Sequence, residues 1–332
     1  MPPQLEPGRR AFLLTALAAL ARPARARAQP AAKTARVGIL GSAPAVTFAA
    51  GVRAFRESLH RLGWVEGRNL GLEARYPEER YDRLPALAAD LVALRVDVVF
   101  AMGTPAIQAA KSATTTVPIV METHGDAISI GLVSNLARPG GNVTGVSGFA
   151  PELNAKRLEL IRELLPAATR IGVIANRSNP ATATVIKVTE ATAQQLRLQL
   201  HFADVRTPTD LAPAFEAVSR PRCDALLVVT DPMLASQRSR IVELAARHRL
   251  PAVYDGAAWT DTAGLLSYGP PPLERFQRAA VYVDRILKGA RPGDLPIEQP
   301  STFELVLNLR TARGLGIEIP PALRLRAARV IE

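Results

Sequence analysis

The chain has 332 residues, of which 48% are hydrophobic and 21% charged, and a formal net charge of +11. That length exceeds one ordinary core and suits two α/β lobes of about 120 to 150 residues each, and the composition excludes a largely disordered chain. The basic residues are spread along helical stretches (Lys156, Arg157, Arg162, Arg238, Arg240) without interleaved aromatics, which excludes a strand-binding groove and leaves a solvated basic surface; no nucleic-acid partner is expected.

Residues 1–28 read as an export signal. Paired Arg9-Arg10 precede an apolar, Ala-rich stretch ending near Leu20, and Ala26-Arg27-Ala28 offers small residues around a cut. The stretch is too short and too mildly apolar to span a membrane, which takes about 20 apolar residues. Arg-Arg-x-Phe-Leu resembles a twin-arginine signal. No cysteine near the cut could carry a lipid anchor, so the expected location is the periplasm. This segment holds five arginines and one glutamate, so seven of the eleven net charges fall on the mature chain.

From Arg36 onward, short apolar runs alternate with helical patterns, the signature of βαβ units and parallel sheets. Strand Val37–Leu40 turns through Gly41-Ser42-Ala43-Pro44 into a helix whose Phe48, Val52, Phe55, Leu59 and Leu62 share one face. A strand over 70–75, a helix carrying Leu84, Leu87, Leu91 and Leu94, and a strand over 97–101 follow. Thr104 is the expected cap of the next helix, with Pro105 in its first turn. The fourth strand, 118–121, leads into Thr123-His124-Gly125-Asp126. Extended residues 143–149 then read as a first crossing between lobes.

The second series repeats this plan from the helix at Ala155 to the strand over 252–254. Residues 265–268 and 303–308 read as the second and third crossings, with the helix of Phe276, Ala280, Val283 and Leu287 returning to the first lobe. The expected fold class is therefore α/β: two Rossmann-like lobes with parallel sheets, joined by a three-segment hinge. The lobes are 36–146 with 269–300, and 147–268 with 301–332. The one cysteine, Cys223, reads as a small buried hydrophobe.

No catalytic or cofactor signature appears. The turn after the first strand lacks dinucleotide spacing, no phosphate-binding Gly-x-x-x-x-Gly-Lys-Ser/Thr occurs, and Gly145-Val146-Ser147-Gly148 is not a nucleophile elbow. His60, His124, His201 and His248 show no metal spacing. Neither a metal nor a cofactor is expected. His124 with Asp126 is the one local acid–base pairing, and a loop in which Asp126 caps the next helix explains it as well as a ligand contact does and better than catalysis.

Several segments resemble a known family. They include Tyr81-Asp82-Arg83-Leu84-Pro85, Arg138-Pro139-Gly140-Gly141-Asn142-Val143-Thr144-Gly145, Lys156-Arg157-Leu158-Glu159-Leu160, Asn176 with Asn179-Pro180, Asp231-Pro232, Ser267-Tyr268-Gly269-Pro270 and Phe303-Glu304-Leu305-Val306-Leu307-Asn308. They are similar to those of ABC-transporter substrate-binding proteins, the family that includes TrpX-type tryptophan and tyrosine binders. The resemblance implies a type I periplasmic binding fold, no enzymatic activity, a small-molecule ligand (an amino acid or related small carboxylate) and an ABC permease in the inner membrane as partner, with the protein acting as a monomer. A secreted hydrolase and an exported ligand sensor are the rival readings. The family usually has Gly-Asp-Pro-Val after its fourth strand, where this chain has His124-Gly125-Asp126-Ala127-Ile128.

In open parallel sheets ligands sit beyond the carboxyl ends of the strands. The candidate ligand contacts are accordingly Ser42, Thr104, His124 and Asp126 in the first lobe, and Asn176, Asp231, Tyr254, Asp255 and Tyr268 in the second. Ser42 and Thr104 with helix-start amides suit a carboxylate, Asp126 or Asp231 an ammonium, and Tyr254 or Tyr268 an apolar portion.

Overall fold

A computed structural model describes residues 34–271 and 273–332, so the expected export signal lies outside the described residues. Five strands, β1 (Ala35–Gly41), β2 (Leu70–Arg75), β3 (Val98–Met102), β4 (Ile119–Glu122) and β5 (Val143–Val146), form one parallel sheet in the order β2-β1-β3-β4-β5. Strands β3, β4 and β5 are buried at every position, as a sheet covered on both faces by crossover helices demands. Those helices are α1 (Ala45–Arg61), α2 (Leu84–Ala93) and α3 (Thr104–Ala113).

After α4 (Ala150–Leu164), the second sheet gathers β6 (Arg170–Ala175), β7 (Gln199–Asp204), β8 (Ala225–Val228), β9 (Ala252–Tyr254), β10 (Leu266–Gly269), β11 (Glu304–Asn308) and β12 (Arg329–Ile331). Their order is β12-β11-β10-β9-β8-β6-β7, parallel except for the β10–β11 pair. Helices α5 (Thr182–Gln195), α6 (Leu211–Ser219), α7 (Pro232–Ser236), α8 (Arg238–Arg247) and α9 (Ala257–Asp261) connect them. The fold is thus the expected two-lobed α/β architecture.

The crossings lie elsewhere than the sequence suggested. Residues 143–146 are the fifth strand of the first sheet, and 266–269 and 304–308 are an antiparallel pair inside the second. Their near-continuous apolar runs are those of strands buried in a sheet, and the chain changes lobe just beyond them. It leaves the first sheet after Val146, returns after Gly269, and leaves again after Glu298, which bridges Val146. The Ser147 amide donates to the Glu298 carbonyl at 2.9 Å, so two of the three passages are joined by a backbone bond. The return helix, α10 (Glu274–Leu287), packs on the first lobe as expected: Phe276, Ala279, Ala280, Val283 and Ile286 join a cluster with Phe55 and Phe100.

Equivalent turns show a repeat that the residues do not. Arg95, Arg197 and Arg249 each follow a helix cap in the left-handed region, with φ of 54°, 55° and 52°. Glycine is the usual occupant of that position; here an exposed arginine fills it and the next apolar residue starts the descent into a strand.

Close approach of α1 to α10 depends on Gly51, where an added Cβ would come within 2.4 Å of the Phe276 ring. Alanine gains about 1 kcal/mol of helix propensity over glycine, but forcing a methyl into a packed aromatic costs about 1–3 kcal/mol. Gly51→Ala is therefore expected to lower the thermal midpoint by several degrees, measured by circular dichroism.

Candidate functional site

The C-terminal ends of the first-lobe strands face those of the second, and a cavity of about 290 Å³ lies between them. That volume sits at the small end of ligand sites, which run to about 300–1,000 Å³. The first lobe contributes the start of α1, the turns after β3 and β4, and the first turn of α10; the second contributes the turns after β8 and β9. Phe48, Phe276, Leu273, Val185, Pro232 and Trp259 make much of the wall apolar.

Hydrogen bonds between the lobes hold them together. The Tyr81 hydroxyl donates to the Asp231 carboxylate at 3.0 Å, and Ser236 Oγ and Gln237 Nε2 donate to Glu79 Oε1 at 2.9 and 2.6 Å. Glu78 and Glu79 take positive φ values of 52° and 66°. Such backbone is uncommon for non-glycine residues, so the cross-lobe contacts of Glu79 help to hold it there.

A chain of buried charges lines the floor. Arg275 Nε donates to Glu122 Oε1 at 2.7 Å, with side chains only 4% and 3% exposed. Arg275 Nη2 lies 2.6 Å from His124 Nε2. A guanidinium can only donate, so Nε2 accepts and the imidazole is neutral. Burial, then repulsion from Arg275, pushes the His124 pKa down to about 4, against the pull of Asp255 and Glu122. Burial raises the Asp255 carboxyl. Its electrostatic coupling to His124, the Arg157 charge and hydrogen bonds from Trp259 and Thr230 more than offset that, leaving it below the ordinary carboxylate value. Arg157 is fully buried, donates to the Tyr268 carbonyl at 2.9 Å and to Thr230 Oγ1 at 3.2 Å, and is pushed down by burial to about 10, still cationic at neutral pH.

Four of the nine sequence candidates lie in the cavity wall: Thr104, His124, Asp231 and Asp255. Thr104 does not cap its helix; Gly103 holds the cap position at φ 83°, and the Thr104 hydroxyl pairs with Thr123 Oγ1 at 2.9 Å. Asp231 accepts from Tyr81, Asn176, Asn179 and the Leu234 amide, and burial, the largest influence, raises its pKa despite them.

The other five lie outside the wall. Ser42 is sealed behind Gly103 and donates to the Met102 carbonyl at 2.8 Å. Asp126 accepts from the Ile128 and Ser129 amides at 3.1 and 3.4 Å, which is the turn-capping role and places no ammonium partner in the cavity. Asn176 braces Asp231. Tyr254 is 1% exposed and stacked on Trp259 at 4.7 Å. Tyr268 stacks on Phe303 at 6.0 Å.

Arg157 and Arg238 correct the expectation that the basic residues form a solvated surface, since one is buried and the other lines the cavity. Arg275 had no place among the candidates. Its signal was phase: Arg275, Ala279, Tyr282 and Ile286 share one buried stripe of α10, and Arg157 falls likewise in register with Leu153, Ile161 and Leu164. A charge in phase with an apolar stripe requires a buried partner.

No described helix is long and apolar enough to cross a membrane. Among curated proteins, a tyrosine-binding protein of Clostridioides difficile (strain R20291) is 25% identical over 266 residues, 80% of this chain and 76% of that one. Among solved structures, a conserved domain protein of Vibrio cholerae O1 biovar El Tor superposes with a TM-score of 0.85 at 28% identity, covering 90% of this chain and all of that one. An ABC domain of Streptococcus pneumoniae in complex with L-Trp gives 0.83 at 27% identity, again over 90% and 100%. Residues 42–331 match the ABC transporter substrate binding protein family over nearly the whole described chain, so the chain belongs to that family.

Proposed function

We propose that the chain is exported to the periplasm, binds an amino acid or related small carboxylate between its lobes, and delivers it to an ABC permease in the inner membrane. The observation that carries this reading is a small cavity walled by strand ends of both sheets, whose lobes are also joined by the Tyr81–Asp231 and Glu79–Gln237 hydrogen bonds. A solute touching both walls stabilises the closed form relative to the open one, and the permease reads that form. Segments 36–146 with 269–300 and 147–268 with 301–332 move as the two bodies, and the three chain passages between them are the hinge.

Amino acids enter because the relatives named above bind tyrosine and tryptophan. Binding without turnover is the whole activity in this reading, supported by His124 Nε2, which is occupied by Arg275 and so is not a free general base. The monomer is the proposed working unit: the segments of one chain suffice to wall the cavity, so binding needs no second copy.

A thermal-shift screen of the mature protein against amino acids, aromatic and aliphatic acids, nucleosides and ureas tests this. A cognate small carboxylate at 100 times its Kd adds about 2.7 kcal/mol to stability, a rise of several degrees. No shift from any carboxylate or amino acid would remove the reading.

A further inference from the structure

Building on the assignment of the inter-lobe cavity as the solute site, we infer that the solute presents a carboxylate to Arg275 and Thr47 and carries no ammonium group beside it. Five side-chain polar atoms among the described residues are sealed from solvent without a hydrogen-bond partner. Two of them, Arg275 Nη1 and Thr47 Oγ1, belong to residues of this one cavity wall. They sit on the first turns of α10 and α1, two helices packed against each other through Phe276 and Gly51. The rest of the Arg275 fork is taken, Nε by Glu122 and Nη2 by His124. What remains unmet is a donor on a cation, and a carboxylate oxygen is the acceptor that such a donor pairs with most strongly.

The carboxylates of the wall are committed. Asp231 receives four donors, which fills the roughly four acceptor positions of a carboxylate. Glu122 faces Arg275. Asp255 accepts from Trp259 Nε1 at 2.6 Å and from Thr230, with the buried Arg157 charge beside it. An ammonium near Arg275 would therefore meet a guanidinium with no uncommitted anion to offset it, at a buried site where like charges repel strongly. His124, neutral and accepting from Arg275, adds no negative charge. Beyond the charged floor, Phe48, Phe276, Leu273 and Trp259 suit an apolar body. The favoured class is an apolar monocarboxylate, and the excluded neighbour of its carboxylate is the α-ammonium of an amino acid.

Calorimetry on the mature protein with matched pairs decides this: 3-phenylpropanoate against L-phenylalanine, 4-methylpentanoate against L-leucine, and propanoate against L-alanine, with phenethylamine as the cation-only control. The expected result is that at least one acid binds about tenfold or more tighter than its amino acid and that phenethylamine does not bind. Thr47→Val, which keeps the shape of a first-turn helix residue, weakens that acid about tenfold, the low end for a hydrogen bond to a charged group. An amino acid binding as tightly as its acid overturns the inference and leaves the proposed function standing. Failure of all three acids to bind also overturns it, and the proposed function falls only if the wider thermal-shift panel is silent as well. An unchanged acid affinity in Thr47→Val removes Thr47 from the site.

Discussion

Arg275→Met lowers the free energy of unfolding by about 3–5 kcal/mol, the range for removing one partner of a buried ion pair. The loss is not that of one favourable contact. Glu122 is only 3% exposed and would keep its charge in the floor of the cavity without the guanidinium 2.7 Å away, while His124 Nε2 would lose its donor. The methionine stem replaces much of the arginine's packing against its neighbours on α10, so the effect is electrostatic rather than steric. Most of it is expected to return in the double variant Glu122→Leu/Arg275→Met, because a buried pair exchanged for apolar side chains is often neutral or stabilising. Urea titration of the two single variants and the double gives the coupling directly. A single-variant loss under 1 kcal/mol would mean that solvent reaches the pair.

The same cycle separates stability from binding. If Arg275 anchors a ligand carboxylate, the double variant recovers its fold and not its affinity. A pair with a purely structural role would leave affinity intact once the fold is restored.

The architecture was legible because it is written in periodicity. Alternating strand and helix runs gave the parallel sheets, and unbroken apolar runs at 98–102 and 225–228 marked strands buried on both faces. The rule that ligands gather beyond strand ends led to the turns holding Thr104, His124, Asp231 and Asp255, all of which reach the cavity wall. It failed for Tyr254 and Tyr268 because a strand-end position fixes a Cα and not a direction. Tyr254 turns into the core against Trp259, and Tyr268 leans on Phe303, a partner 35 residues later in sequence. It failed for Asp126 because a short acidic side chain in a turn satisfies its own backbone first. Arg275 was illegible for another reason. Its partners Glu122 and His124 lie about 150 residues away, and only the second passage of the chain, after Gly269, brings α10 onto β4.

Lowering the pH from 6.5 to about 4 is expected to cost the protein on the order of 2–3 kcal/mol of stability through His124 alone. In the unfolded chain the imidazole takes up a proton near pH 6.5, whereas in the fold it does so only near pH 4. Between those values the unfolded state binds more protons, so stability rises with pH across the window and is lost as pH falls through it. The fold resists protonation because the His124 ring is enclosed, accepts through Nε2 from Arg275 on α10, and has Arg157 of α4 nearby. Asp255 after β9 and Glu122 on β4 pull the other way and lose. Asp231 contributes with the opposite sign, since its carboxyl is raised by burial and gains a proton more readily folded than unfolded. The informative quantity is therefore the difference between the wild type and His124→Gln, whose amide oxygen can still accept from Arg275 Nη2 but cannot titrate. Urea midpoints measured from pH 7.5 to 4.5 should converge for the two proteins as pH falls if glutamine is the poorer fit at neutral pH. Parallel curves would show that His124 titrates normally in the fold, and the neutral acceptor beside Arg275 would have to be abandoned.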